Sequence, residues 1–274
     1  MPASKKENPL KAFLVSLVFP ALYFLLLTFV PAVPSLIYQN ILGLGYEAYS
    51  ALYDIWFMCS VAVFFLIVIA VFKFRRRSLL KRIQSGPMPG RMYAMVAALT
   101  LGAMLISGLF NYAFPQNLID VYMNNTAVRL SGWLVVSIIA TGLVAPLGEE
   151  TAFRGLMMTR LQGRMAPWLA VTLSALVFAF IHAGGSVFQA FAALPLAFII
   201  CLVYLWVKNI RATILLHIIN NTFSVVVAAI APVVPAFSVF NPGNTSMQNL
   251  IISLAGLVVA VIMLGFIYKY RVRA

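Results

Sequence analysis

Long apolar runs recur along the whole chain, and each is about 18 to 25 residues long, enough to cross a membrane as a helix. Backbone polar groups inside a bilayer must be satisfied within the span, so apolar runs of this length fold as α-helices. Hydrophobic residues make up 63% of the 274 residues and charged residues 9%, which leaves no room for a separate soluble domain. The sequence therefore predicts an all-α, polytopic membrane protein in which residues 1–274 form a single integral membrane domain.

Eight such runs predict eight transmembrane helices that pack together as a bundle. The predicted spans are residues 12–30, 50–72, 92–112, 130–158, 167–183, 187–207, 212–232 and 248–268.

The 19 Lys and Arg residues are unevenly distributed around these spans, and the net charge is +13. If the amino terminus is cytoplasmic, Arg129 alone falls on the opposite side. Basic loops of membrane proteins face the cytoplasm, so we expect a multi-pass protein with both termini cytoplasmic, in the plasma membrane of a prokaryote. Charges placed this way predict contact with anionic membrane lipids and argue against nucleic acid as a partner.

Two of the six acidic residues, Glu149 and Glu150, are adjacent within the fourth predicted span. Carboxylates at membrane depth are costly and usually mark a functional site. Residues four apart share one face of a helix, so Glu150 can pair with Arg154, whereas Glu149 points about 100° away and is left free. The spacing predicts a structural role for Glu150 and Arg154 and a chemical role for Glu149.

The two histidines of the chain, His182 and His217, both lie in spans that follow the acidic pair. The four-residue spacing also puts Phe178 beneath His182 and Asn221 on the face of His217. Three helices thus offer a carboxylate, two imidazoles and an amide. Counting residues from the basic helix ends places Glu149, His217 and Asn221 in the cytoplasmic half of the bilayer and His182 deeper, at about 22 Å, unless its helix tilts or starts lower in the membrane. We expect an intramembrane cavity in the cytoplasmic half of the bilayer.

These groups suit the hydrolysis of a peptide bond. A carboxylate and an imidazole that share a water molecule can remove its proton, a role that fits Glu149 and His182. A second imidazole and an amide can donate hydrogen bonds to the oxyanion formed when the water attacks a carbonyl, a role that fits His217 and Asn221.

The same residue types allow other interpretations. A zinc ion held by Glu149, His182 and His217 is stereochemically allowed, although the chain has no H-E-x-x-H motif. A non-enzymatic protein, either a proton-coupled transporter or a membrane scaffold, would use the same buried polar cluster. Joint catalytic function is favoured because the histidines and the membrane carboxylates gather on facing helices.

The motifs at these positions resemble those of the CPBP family of intramembrane proteases, also called the CAAX protease and bacteriocin-processing (Abi) family. The motif E-E-x-x-x-R is matched by Glu149, Glu150 and Arg154, F-x-x-x-H by Phe178 and His182, and H-x-x-x-N by His217 and Asn221. The resemblance covers residues 130–225, which we predict to be the catalytic core within the single membrane domain. The order and spacing of the three motifs make it specific.

The resemblance implies an eight-helix bundle with an intramembrane cavity open to the cytoplasm, in which Glu149 and His182 activate water while His217 and Asn221 form the oxyanion hole. It implies an intramembrane endopeptidase similar to type II CAAX prenyl endopeptidases. The expected substrate is a membrane-associated peptide or lipidated protein, either a prenylated CAAX-like chain or a bacteriocin-like or pheromone-like peptide. Because a glutamate-activated water needs no metal, no cofactor is favoured, and zinc is the alternative.

Overall fold

The structure is a computed structural model that describes residues 7–40, 46–121, 133–183, 186–231, 233–240 and 244–271. Every regular element in these ranges is helical, as the apolar runs predict. Arg129, the basic residue expected on the opposite side of the membrane, lies outside the described residues.

The helices that carry the fold follow the predicted spans closely. They are α1 (Pro9–Ser16), α2 (Val18–Asn40), α3 (Tyr46–Phe74), α4 (Leu79–Arg82), α5 (Gly90–Ile106), α6 (Leu134–Leu161), α7 (Pro167–His182), α8 (Val187–Val207), α9 (Ile210–Ile230) and α10 (Met247–Lys269). Two 3-10 helices are also present: Ser107–Tyr112 follows α5 directly, and Pro235–Phe240 lies between α9 and α10.

Seven helical segments within the described ranges are long and apolar enough to cross a membrane. They are Pro9–Pro34, Leu52–Phe74, Gly90–Tyr112, Leu134–Leu161, Val187–Val207, Ile210–Ile230 and Met247–Lys269. The remaining predicted span forms the apolar helix α7, whose 16 residues extend about 24 Å. The chain is therefore an integral membrane protein with seven full-length candidate spans and one shorter apolar helix, where we expected eight similar spans.

The first predicted span, 12–30, differs from the structure at both ends. The helix is divided at Leu17 into α1 and α2. Pro20 has no N–H to donate to the carbonyl four residues earlier, and the Ser16 hydroxyl donates to the Phe13 carbonyl, 2.7 Å away. The helix also passes through Pro31, where the predicted span ended, and continues to Asn40.

The fourth span, α6, lies at the centre of the bundle and packs against α2, α3, α7 and α9. It is π-helical over Ile138–Val144 and Thr151–Met158, and α-helical over Ala145–Glu150 between them. Pro146, at the start of the α-helical segment, cannot donate a backbone hydrogen bond, and the hydrogen-bond pattern changes there. Short π-helical stretches inside α-helices are frequent at functional sites.

An ion-pair network joins the amino-terminal segment to the end of α6. Glu7 accepts hydrogen bonds from Arg160 at 2.7 Å and from Arg164 at 2.9 Å. Burial, together with the charges of Arg164 and Arg160, lowers the pKa of Arg82 below its ordinary value. Several guanidinium groups therefore share this end of the bundle, and Glu7 offsets part of their charge.

Candidate active site

The acidic pair of α6 contains the ion pair that the four-residue spacing predicts. Arg154 Nη1 donates to Glu150 Oε1 at 3.0 Å, and both side chains are completely buried. The second guanidinium nitrogen, Nη2, donates to the Ala197 carbonyl of α8 at 3.3 Å. Arg154 thus joins α6 to α8 and neutralises one of the two membrane carboxylates.

His217 of α9 lies between the two glutamates. Its Nδ1 is 2.8 Å from Glu150 Oε1, and its Nε2 is 3.5 Å from Glu149 Oε2. The imidazole is 2% exposed, so both contacts are shielded from bulk solvent. The contact with Glu150 was not predicted, because the rotation of α9 relative to α6 cannot be read from spacing along either helix.

Phe178 of α7 is the hydrophobic centre of the site. Its ring centroid is 4.7 Å from the His182 ring and 5.7 Å from the His217 ring. The Arg154 guanidinium carbon lies 4.4 Å from the same centroid, in cation-π geometry. Phe153 packs edge-to-face on Phe178 at 5.2 Å. A single buried ring therefore contacts both imidazoles and the arginine.

His182, the last residue of α7, is half-buried and has one ring nitrogen engaged. Its Nδ1 is 2.9 Å from the Phe178 carbonyl oxygen. A carbonyl only accepts, so Nδ1 is the donor, and in the neutral imidazole Nε2 is left as an acceptor. Among the described contacts, the imidazole beside Glu149 is that of His217, and the shared water of Glu149 and His182 stays a prediction.

Asn221 of α9 makes two hydrogen bonds. Its amide Nδ2 donates to the Thr141 carbonyl at 3.1 Å, and its Oδ1 accepts from Asn220 Nδ2 at 3.2 Å. Thr141 belongs to the first π-helical stretch of α6. The two bonds fix which way the Asn221 amide points and leave one of its N–H groups for another acceptor. Asn220 was not among the predicted site residues, although the Asn-Asn pair in the sequence was a signal that could have found it.

Glu149 and Glu150 each keep one carboxylate oxygen, Oε2, without a hydrogen-bond partner in the described part of the chain. Glu149 is 8% exposed, whereas Glu150 is completely buried and already pairs with Arg154 and His217. The 3.5 Å separation from His217 Nε2 is an electrostatic contact longer than a hydrogen bond. A buried acceptor in this state can take a proton from a small polar molecule that enters the site.

The residues considered for zinc do not form a three-ligand site in the described part of the chain. In the described residues, no three or more His, Cys, Asp or Glu side chains are grouped so that they could hold a metal ion. Glu149, His182 and His217, the set considered for zinc, are therefore not assembled as ligands in this conformation.

A cavity of about 460 Å³ lies between residues 80–87 and residues 207–209. None of the four predicted catalytic residues lines it. The intramembrane cavity expected around Glu149 stays a prediction.

Comparison with known proteins identifies the segment that carries these residues. Residues 131–223 match a family model described as Rce1-like, type II CAAX prenyl endopeptidase Rce1-like. No curated protein and no solved structure matches the chain. The matched segment contains Glu149, His182, His217 and Asn221, and it lies inside the predicted core 130–225. Over residues 131–223 the chain is therefore similar to the Rce1-like, type II CAAX prenyl endopeptidase family, which is consistent with the CPBP family of membrane proteases.

Proposed function

We propose that the protein is an intramembrane endopeptidase that hydrolyses a peptide bond of a membrane-associated substrate near the cytoplasmic face. The observation that supports this most is the buried contact of His217 with both Glu149 and Glu150, inside an Rce1-like domain. The substrate is a peptide or lipidated protein, prenylated and CAAX-like or related to bacteriocins and pheromones. Positive charges near the predicted cytoplasmic loops support the orientation with both termini inside.

Glu149 is the general base in the proposed reaction. Its Oε2 accepts a proton from water, and the water oxygen forms a bond to the scissile carbonyl carbon as the carbonyl π bond opens. When the tetrahedral intermediate collapses, the carbon–nitrogen bond breaks and the proton passes from Glu149 to the leaving amine. Protons and electrons balance without a further reagent.

His182 orients the water in this scheme. Because Nδ1 donates to the Phe178 carbonyl, the neutral ring presents Nε2 as an acceptor for one water proton. The second water proton then faces Glu149. Two acceptors on one water molecule align a lone pair of its oxygen with the carbonyl carbon.

His217 and Asn221 supply the oxyanion hole. The Nδ1 contact with Glu150 orients the imidazole, and a ring protonated at both nitrogens donates through Nε2. The N–H group of Asn221 that is not bound to Thr141 supplies a second donor. Fixed donors aimed at the developing charge contribute strongly to the rate of acyl transfer. Glu150, Arg154 and Phe178 hold this arrangement and do not touch the substrate.

The test uses purified full-length protein in lipid nanodiscs with a fluorogenic prenylated CAAX peptide, and the products are identified by mass spectrometry. Wild-type protein is expected to cleave the peptide, and Glu149→Gln is expected to lower kcat by about 1,000-fold, the middle of the range of about 100- to 10,000-fold for general-base catalysis. Glu7→Gln, in a partly exposed ion pair away from Glu149, is the matched control. Equal cleavage by Glu149→Gln and wild type would contradict the mechanism. A scaffold would show no cleavage and would keep its cellular phenotype in the Glu149→Gln variant.

A further inference from the structure

Tyr23 of α2 lies against the residue that precedes Glu149. Its side chain is completely buried, although it belongs to a helix outside the segment matched by the family model. A Cβ atom on Gly148 would come within 2.6 Å of Tyr23 Cε2 and 2.9 Å of its hydroxyl oxygen. The absence of a side chain at position 148 is therefore what allows the phenol ring to reach the backbone of α6.

The ring of Tyr23 is held in one orientation. Phe64 of α3, also completely buried, packs edge-to-face on it with the ring centroids 5.1 Å apart. Aromatic pairs prefer this geometry, and a ring enclosed between Phe64 and Gly148 has no room to turn away. The position of the hydroxyl follows from that of the ring.

The hydroxyl of Tyr23 is only weakly engaged. It donates to the Ala145 carbonyl at 3.4 Å, well beyond the usual O–H···O distance of about 2.7 to 2.8 Å. A hydroxyl has one donor proton and two acceptor sites, and a long bond is readily exchanged for a better one. The phenol also interacts electrostatically with the Glu149 carboxylate, one turn further along α6.

We propose that Tyr23 is a positioning residue for Glu149: its hydroxyl donates to the Glu149 carboxylate and holds it toward the attacking water. This inference rests on the proposed function of Glu149 as the general base. Among the described contacts, the charged or titratable group that approaches Glu149 is His217 from α9, while the neighbouring Glu150 is paired with Arg154. Among these, His217 approaches one oxygen, and Tyr23 adds a donor from α2.

A variant that lacks only the hydroxyl of Tyr23 distinguishes the positioning role from a packing role. Tyr23→Phe keeps the ring and loses the donor, and it is expected to lower kcat by about 10-fold, the effect of one hydrogen bond to a charged group. The KM is expected to stay within twofold, because a group that acts only through Glu149 adds nothing to substrate binding. A purely packing role would lower the melting temperature and leave kcat unchanged.

The experiment measures kcat, KM and melting temperature for full-length wild type, Tyr23→Phe and Tyr38→Phe on the same prenylated peptide. Tyr38 is the matched control, because it lies on the same helix, its hydroxyl accepts from Trp56 Nε1 at 3.4 Å, and it is about 22 Å from Tyr23 along the axis. Tyr38→Phe is expected to keep wild-type kcat. If Tyr23→Phe does not purify folded, Tyr23→Met, flexible and apolar, takes its place.

The outcomes separate the two proposals. A wild-type kcat in Tyr23→Phe, while Glu149→Gln is inactive, would overturn the role of Tyr23 and leave the proposed function intact. An equal loss in Tyr23→Phe and Tyr38→Phe would also overturn it. Absence of cleavage by the wild type would overturn both.

Discussion

His217 Nδ1 and Glu150 Oε1 are 2.8 Å apart, although the two residues are separated by 67 positions in the chain. The same Glu150 oxygen accepts from Arg154 at 3.0 Å. One oxygen of Glu150 therefore contacts both the Arg154 guanidinium and the His217 imidazole. Removal of this carboxylate leaves both buried groups without that partner. The consequences for stability and catalysis can be separated by experiment.

Glu150→Gln is expected to destabilise the protein by about 3 kcal/mol, since breaking one side of a buried pair leaves Arg154 uncompensated. The kcat is expected to fall as well, because His217 loses the group that orients it. Thermal unfolding in nanodiscs measures the first effect and peptide cleavage the second. Glu7→Gln, whose ion pairs are partly exposed, is the control and is expected to cost less than about 1 kcal/mol. An equal loss of unfolding free energy in Glu150→Gln and Glu7→Gln would contradict the importance of the buried Glu150–Arg154 pair.

Phe178→Leu is expected to lower kcat by about 10-fold, because a leucine removes the ring on which both imidazoles and Arg154 pack. Phe188→Leu is the control, since Phe188 is also buried and packs edge-to-face on Phe114 at 5.6 Å. The control variant is expected to lose a similar amount of stability and to keep its kcat. Steady-state kinetics combined with melting temperatures distinguish the two variants, and a parallel loss of kcat in both would refute the specific role of Phe178.

Asn221→Ala is expected to lower kcat by about 100-fold with little change in KM, as for the loss of one oxyanion donor. Asn249→Ala removes a comparable buried amide, which donates to the Val239 carbonyl at 2.6 Å, and is expected to affect stability alone. Asn220→Ala is expected to show a smaller fall in kcat, because it frees the Asn221 amide to rotate. If Asn221→Ala raised KM at constant kcat, Asn221 would be a binding residue.

Gly155→Ala is expected to destabilise the protein by about 1 to 3 kcal/mol, the cost of overpacking. A Cβ at position 155 would meet Ile83 Cγ2 at 2.7 Å and Ile210 Cδ1 at 3.1 Å. The double variant Gly155→Ala with Ile83→Ala is expected to recover part of the stability relative to the sum of the single variants. Strict additivity in thermal unfolding would show that the two positions do not compete for space.

Chelation is expected to leave the activity unchanged, since the proposed mechanism uses only side chains and water. Purified protein is dialysed against a strong chelator, its metal content is measured, and cleavage is then compared before and after dialysis. Loss of activity that returns on addition of zinc would replace the metal-independent mechanism with one in which Glu149, His182 and His217 bind the ion.

The positions of the helices and the Glu150–Arg154 pair were predictable because both follow from patterns along one segment. Apolar runs set the spans within a few residues, and the four-residue spacing placed Arg154 on Glu150. The His217–Glu150 contact and the approach of Tyr23 to Gly148 depend on how helices rotate and pack against one another. No periodicity within a single helix contains that information.

The π-helical stretches of α6 and the break at Leu17 were missed for a different reason. Both depend on which backbone hydrogen bonds form, and nearby proline and serine residues alter these bonds at a small cost in free energy. The hydropathy of the sequence contains no information about such bonds. Pro146 lies where the first π-helical stretch of α6 gives way to the α-helical segment.

The short length of α7 has a consequence for the membrane itself. Its 16 residues fall about 6 Å short of a typical hydrocarbon core. Either the lipids beside a short helix compress, or the polar end of the helix lies beneath the headgroups. In both cases the hydrocarbon layer beside the helix becomes thinner. His182 ends this helix, so such thinning would bring the half-buried imidazole that is expected to hold the hydrolytic water nearer to the lipid headgroups.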